Sequence, residues 1–250
     1  MTYLSRIRIN PLRAESRKLL ASPRAMHSAV VGGIPTPPDA ERALWRLDTD
    51  NPHRPMLFVL SSSRPDWTHL VETAGWPDAD GEHAAVRDYK PLLAQLALGR
   101  EFHFRVTAHP VQNTFNPIKP TPAQRERTAR GNRRAHRISH RTAAAQLAWF
   151  LERTAKWGFN IPEARTDPAA PGLDNRPPRP APDIRIIARD RQSFTKNGRG
   201  APITLYTATF EGRLRITDTD QVTQALLAGI GPSKAYGCGL LTLAPLTPTG

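Results

Sequence analysis

Tyr3 to Asn10 alternates, with Tyr3, Ser5, Ile7 and Ile9 on one face and Leu4, Arg6, Arg8 and Asn10 on the other, which is the period of a half-buried strand. Ala14 to Ala21 follows as a short charged helix. Ser22 reads as an N-cap with Pro23 at the first helical position, and it starts a helix that carries Arg24, Met26, His27, Val30 and Val31 and stops at Gly32-Gly33. Ile34 to Pro38 is a loop. Strands are then predicted over Ala43–Asp48 and Pro55–Ser62, and a helix over Asp66–Ala74 ended by Gly75. Glu101 to His109 alternates cleanly, with Phe102, Phe104, Val106 and Ala108 inward and Glu101, His103, Arg105, Thr107 and His109 outward. The order is strand, helix, strand, strand, helix, strand.

The same order recurs further along. A short strand is predicted over Arg133–Ser139, then a helix over Thr142–Trp157 with Leu147, Phe150, Leu151 and Ala155 as its apolar stripe. Strands follow over Ile184–Asp190 and Ile203–Ile216, the second broken near Gly212. A helix capped by Asp218 or Asp220 runs through Ala228 with Val222, Ala225 and Leu226 inward, and Leu240–Leu243 is the last strand. Pro162 to Pro182 holds seven prolines in 21 residues and is expected to be an irregular surface loop. Two such units predict an α+β fold of tandem ferredoxin-like (RRM-like) domains, each a four-stranded antiparallel sheet with two helices. The expected division is an N-terminal domain over 1–115, a basic linker over 116–130 and a C-terminal domain over 131–250. This fold hosts many activities, so function must come from a site.

Charge narrows the partner. The 250 residues carry 35 Lys plus Arg against 22 Asp plus Glu, a net charge of +13, and only six of the basic residues are lysine. Such a balance favours a polyanion, and guanidinium groups can fork onto phosphate and stack on bases. A single cysteine, Cys238, excludes a disulfide within the chain. No apolar run approaches the roughly 20 residues of a membrane-spanning helix. The opening MTYLSRIRIN has no signal-peptide pattern and a lone thiol suits a reducing compartment, so a cytoplasmic location and no membrane partner are expected.

Three segments concentrate candidate chemistry. Ala123 to Arg141 holds seven arginines, Arg133 and Arg134 among them, two histidines and one glutamate; such a run marks a disordered, solvated or nucleic-acid-binding segment, and its place at a domain junction favours the last. The hairpin tip Arg191–Gly200 (RQSFTKNGRG) presents Arg191, Lys196 and Arg199 around the turn dipeptide Asn197-Gly198, narrow enough to enter a groove at the base of an RNA stem. Gly229 to Leu241 (GIGPSKAYGCGLL) sets four glycines around Ser233 and Lys234 between a helix and a strand. Glycines let the backbone approach a ligand and expose amide N–H groups to phosphate. It is neither a P-loop nor a dinucleotide fingerprint, both of which precede a helix. Tyr236 is open to two readings, stacking on a base or packing in the fold.

The stretch GIGPSKAYGCGLLTLAPL, with YLSRIRIN, the His27 helix, EFHFRVTAHPV, AQLAWFLER and FEGRLRI, closely resembles the CasE family, CRISPR-associated endoribonucleases of type I-E systems and part of the complex Cascade. The resemblance runs from Tyr3 to Leu246, interrupted in the proline-rich loop and near Asp78 to Lys90. It implies tandem ferredoxin-like domains and cleavage of CRISPR repeat RNA beside its hairpin without metal. It also implies retention of the mature guide RNA beside the other Cascade subunits. In that family a histidine in the first-unit helix is catalytic, which carries the role of general acid onto His27. Lys234 falls where the family keeps a lysine or arginine, implying a phosphate contact near the scissile bond, with Ser233 beside it. Arg24, one turn before His27 on the same helix face, stands where some members have tyrosine; guanidinium is no base, but it can stabilise a transition state.

No cofactor or metal is expected. His136 and His140 lie four apart but no second ligand cluster follows, and no aspartate cluster suggests a two-metal nuclease. Cys238 is better explained by packing than by a nucleophilic pair. Two rivals stay beside the enzyme: an inactive subunit that binds the RNA hairpin, and a single-strand RNA module, the latter weakened by the absence of an aromatic ribonucleoprotein signature.

Overall fold

The computed structural model describes residues 1–246 apart from 37–39, 78–80, 116–119, 121, 130–134, 165–180 and 196–202. The first sheet contains β1 (Tyr3–Arg8), β2 (Leu44–Asp48), β3 (Met56–Ser61) and β4 (Ala84–Asp88) in the order β2-β3-β1-β4, every pair antiparallel. Helices α1 (Ala14–Ala21), α2 (Pro23–Gly32) and α3 (Thr68–Ala74) lie on one face. There Ile7, Ile9, Leu57 and Val59 of the strands meet Leu19, Met26, Val30 and Leu70 of the helices, all buried. The strand period does this directly: Ser5, Ile7 and Ile9 share a face and all three are buried.

A one-turn α4 (Lys90–Leu93) leads to β5 (Glu101–Ala108), the hairpin of β6 (Val111–Thr114) and β7 (His136–Ser139) with α5 (Pro122–Ala129) between them, and α6 (Ala143–Leu151). Then come β8 (Phe159–Asn160), the long arm of β9 (Ile184–Phe194) and β10 (Ile203–Ile216), α7 (Thr219–Ala228) and β11 (Thr242–Ala244). The second sheet runs β11-β5-β10-β8, with β9 also paired to β10. Both units thus show the strand order of a ferredoxin-like fold, the second with an inserted hairpin. Its core is aromatic: Phe150 stacks on Phe210 at 4.6 Å and on Phe104 at 5.6 Å between ring centres.

Three expectations need correction. Glu101–His109, expected to close the first unit, is hydrogen-bonded to β10 and β11 in the second sheet. Sheet membership changes between Asp88 and Glu101, within the span 1–115 expected to form one domain. The strand that does close the first sheet, β4, reads AAVRD and has one buried residue, Ala85, too short and too weakly patterned to stand out. Arg133–Ser139, expected to open the second unit, contributes β7, which pairs only with β6 among the described residues. Gly212 does not break its strand. β10 runs through it, and a Cβ there would lie 2.1 Å from the Asp183 carbonyl oxygen, so glycine permits a close backbone approach.

The two units are joined through the other face of the first sheet, where Leu4, Leu44, Phe58 and Leu60 pack into the second core. Arg46 of β2 is 2% exposed at this junction. Its guanidinium donates to both oxygens of Asp48 at 2.7 and 3.0 Å, to the carbonyls of Arg105 and Leu240 at 2.8 and 3.2 Å, and to Thr242 Oγ1 at 2.8 Å. A buried charge is tolerable only when so fully paired. Cys238 is likewise fully buried, and burial pushes its thiol up to about 12, so it stays an inert packing group. No helix among the described residues is long and apolar enough to cross a membrane.

Candidate functional site

Helix α2 begins where its sequence says it does. Ser22 Oγ accepts the Ala25 backbone N–H at 3.3 Å and Pro23 occupies the first turn, where its missing N–H costs nothing. Pro23, Met26 and Val30 are buried against the first sheet, which fixes the rotation of the helix about its axis. His27, one step round from Met26, therefore faces a cleft of about 730 Å³. Val31, Glu41, Arg42, Ala43, Arg137 and the loop Gly231–Tyr236 line the rest of it.

That loop is held by its backbone. Gly229, Gly231, Gly237 and Gly239 all have positive φ, and so does Ser233 at 64°, the one described non-glycine residue in that region. A Cβ on Gly237 would lie 2.7 Å from the Trp45 ring, so the loop docks onto β2 of the first unit. Tyr236 packs at 57° to Phe194 of β9, 4.7 Å between centres, and is half-buried at the cleft wall. The helix feeding the loop is capped by Asp218 and not Asp220, its carboxylate accepting the N–H groups of Asp220 and Gln221 at 3.0 and 2.9 Å.

The cleft brings together four of the residues singled out from sequence, His27, Ser233, Lys234 and Tyr236. Burial lowers the pKa of His27, and its buried Nδ1 meets no hydrogen-bond partner among the described residues. Lys234 Nζ donates to the Ala228 carbonyl at 2.6 Å, the C-terminal end of α7, leaving two further N–H donors. Burial, with the charge of Arg42 adding to it, lowers the pKa of Lys234. Burial alone would raise the Glu41 carboxyl, but hydrogen bonds from Ser63 and Ser62 outweigh it and hold the group below the usual carboxylate range. Its charge is committed to those amides and to the Ser63 hydroxyl. Arg42, Arg137 and Lys234 thus make the cleft wall positive opposite a histidine.

Arg24 is exposed on α2 and is not in the cleft wall. Arg191 is exposed on β9, its guanidinium 6.0 Å above the Tyr206 ring, with Arg141 over the same ring at 4.9 Å. Arg133, Arg134, Lys196 and Arg199 lie outside the described residues. Arg42 and His109 escaped the reading of the sequence. Arg42 sits in no motif, and His109 was placed on the outward face of its strand yet is 4% exposed. No local signal marked His109, because the two serines that bond its ring lie 30 and 124 residues away in the chain.

A histidine facing a lysine, two arginines and a glycine-rich backbone suits chemistry on a phosphodiester. The family model described as "CRISPR associated protein" matches residues 2–245. The chain belongs to that family. It is 27% identical to the CRISPR-associated endoribonuclease Cse3 of Thermus thermophilus, over 97% of this chain and 100% of the relative. Against the Cascade subunit CasE of Escherichia coli the identity is also 27%, over 82% of this chain and 90% of the relative. A solved structure of CRISPR endoribonuclease Cse3 bound to a 19-nucleotide RNA superposes with a TM-score of 0.69 at 25% identity, covering 98% of this chain and 99% of that one. Membership in this family and the tandem ferredoxin-like architecture agree with what the C-terminal motif implied.

Proposed function

We propose that this protein is an endoribonuclease that cuts CRISPR repeat RNA at the 3′ base of its hairpin and stays bound to the mature guide RNA as a Cascade subunit. The observation that carries the reading is the convergence on one cleft of His27 from the first unit and Ser233, Lys234 and Arg137 from the second. The RNA-bound likeness and the name of the curated Thermus relative support it, and the Escherichia relative supports the assembly. Such a protein works in the cytoplasm.

In the proposed reaction a ribose 2′-hydroxyl gives its proton to solvent water and forms a new bond to phosphorus while the bond to the 5′-oxygen breaks. His27 protonates that departing oxygen, leaving a 2′,3′-cyclic phosphate on one fragment and a 5′-hydroxyl on the other. Lys234, Arg42 and Arg137 offset the charge of the phosphorane-like transition state. None of these steps calls for a metal. Arg24, exposed on α2 outside the cleft wall, and the Arg141–Arg191 pair on Tyr206 hold flanking phosphates, together with Arg133, Arg134, Lys196 and Arg199.

The test is single-turnover cleavage of repeat RNA in EDTA. Wild-type protein is expected to cleave, and His27→Ala to lose about 10² to 10⁴-fold in rate while still binding the hairpin. Because burial lowers the His27 pKa, the acid form is scarce in the free protein at neutral pH, and a bound phosphodiester pulls that pKa back up. The rate is expected to fall as pH rises through the pKa of the complex, and His27→Ala to lose that limb. A wild-type rate from His27→Ala would overturn its assignment as the acid, and hairpin binding without any cleavage by the wild-type protein would leave an inactive hairpin-binding subunit.

A further inference from the structure

One buried side chain outside the cleft wall ties together two segments that shape it. His109 follows the last residue of β5. Its Nδ1 lies 2.8 Å from Ser233 Oγ and its Nε2 lies 2.8 Å from Ser139 Oγ. Ser139 ends β7, the strand that brings Arg137 to the cleft, and Ser233 immediately precedes Lys234. Burial, with the charge of Arg137 adding to it, pushes the His109 pKa down to about 4. The ring is therefore neutral at pH 7, with one nitrogen donating and the other accepting, and a serine hydroxyl can serve either role.

Ser233 needs such a partner. It holds a left-handed backbone that an L side chain disfavours, in a loop whose other left-handed positions are glycines. We propose that His109 is a positioning residue: its hydrogen bond to Ser233 holds the left-handed turn and so sets where Lys234 stands across the cleft from His27. The inference rests on the reading of this cleft as the cleavage site. It assigns His109 no proton transfer to RNA, because the ring is spent on the two serines and does not line the cleft.

Two amide replacements separate the two bonds. Asparagine places a polar atom near Nδ1 and can keep the bond to Ser233; glutamine reaches toward Nε2 and can keep the bond to Ser139. The measurement is the single-turnover rate on repeat RNA, beside the affinity for the same hairpin with a 2′-deoxy sugar at the cut. His109→Gln and Ser233→Ala are each expected to slow cleavage about tenfold or more, since small misplacements of a reacting group are costly. For His109→Gln affinity is expected to stay within about twofold, because most of the proposed phosphate contacts lie on the arginine-rich segment and the β9–β10 arm rather than in this loop. His109→Asn is expected to recover most of the rate, and Ser233→Ala with His109→Gln to be no slower than Ser233→Ala alone.

Equal rates from the Asn and Gln variants, or losses that multiply in the double variant, would overturn the proposal. If the histidine replacements do not fold, Ser233→Ala in its half-exposed loop decides alone: a wild-type rate sinks the idea. Failure of the cleavage-site reading is separate, since it shows as undiminished cleavage by His27→Ala whatever the His109 series does.

Discussion

Helix α2 and the loop after α7 face each other across one cleft and are held there by different means. The helix is fixed by repetition: Pro23, Met26 and Val30 fall on one stripe, bury themselves, and leave His27 no choice of direction. The loop has no repeating stripe. Five left-handed residues, a docking contact on Trp45 and a hydrogen bond from another strand give it its shape. A periodic element tolerates change at any one point, whereas a loop of this kind depends on each constraint separately.

Replacements on the two sides can break that contrast. Beyond His27 itself, the largest effect is expected at Lys234, where alanine removes a charge facing the reacting phosphate and is expected to cost on the order of 10²-fold in single-turnover rate, with Lys234→Arg recovering part of it. Gly237→Ala comes next. Its Cβ would meet the Trp45 ring at 2.7 Å from a backbone at φ 78°, so a loss of about 1 to 3 kcal/mol is expected in thermal or denaturant unfolding. Cleavage is expected to fall with it, because the loop leaves its dock. The smallest effect is expected at Ser22→Ala on the helical side. Losing one cap costs about 1 kcal/mol in unfolding, and the buried stripe is expected to keep His27 in place with the cleavage rate nearly unchanged. A larger catalytic loss at Ser22 than at Gly237 would show that the helix, not the loop, is the fragile half.

The same contrast explains what could be read from the chain. Helix α2 was legible to the residue, with cap, proline and glycine stop in place, because capping and stripe are local signals. The inward face of β5 was legible too, but not its sheet: Phe102, Phe104 and Val106 say that one face is buried and nothing about which strands lie alongside. β4 was missed because two alanines and a valine make too faint an alternation. At the site, His27 and Lys234 came from a family resemblance, since no period or spacing links positions so far apart in sequence. Arg42 was invisible because its place arises only where the first unit meets the loop of the second, and His109 because its two serine partners are distant in the chain.

Arg46 bears on how the molecule comes apart. Its charge lies in the first sheet, while three of its acceptors belong to residues of the second. Unfolding either unit alone would strand that guanidinium away from most of its partners and expose the apolar face that Leu44 and Leu60 share with the other core. The two units are therefore coupled into one cooperative transition, although each has the topology of a domain that can fold alone. The cleft between them forms only when both halves are native, so a partly folded chain presents its basic surface without its chemistry.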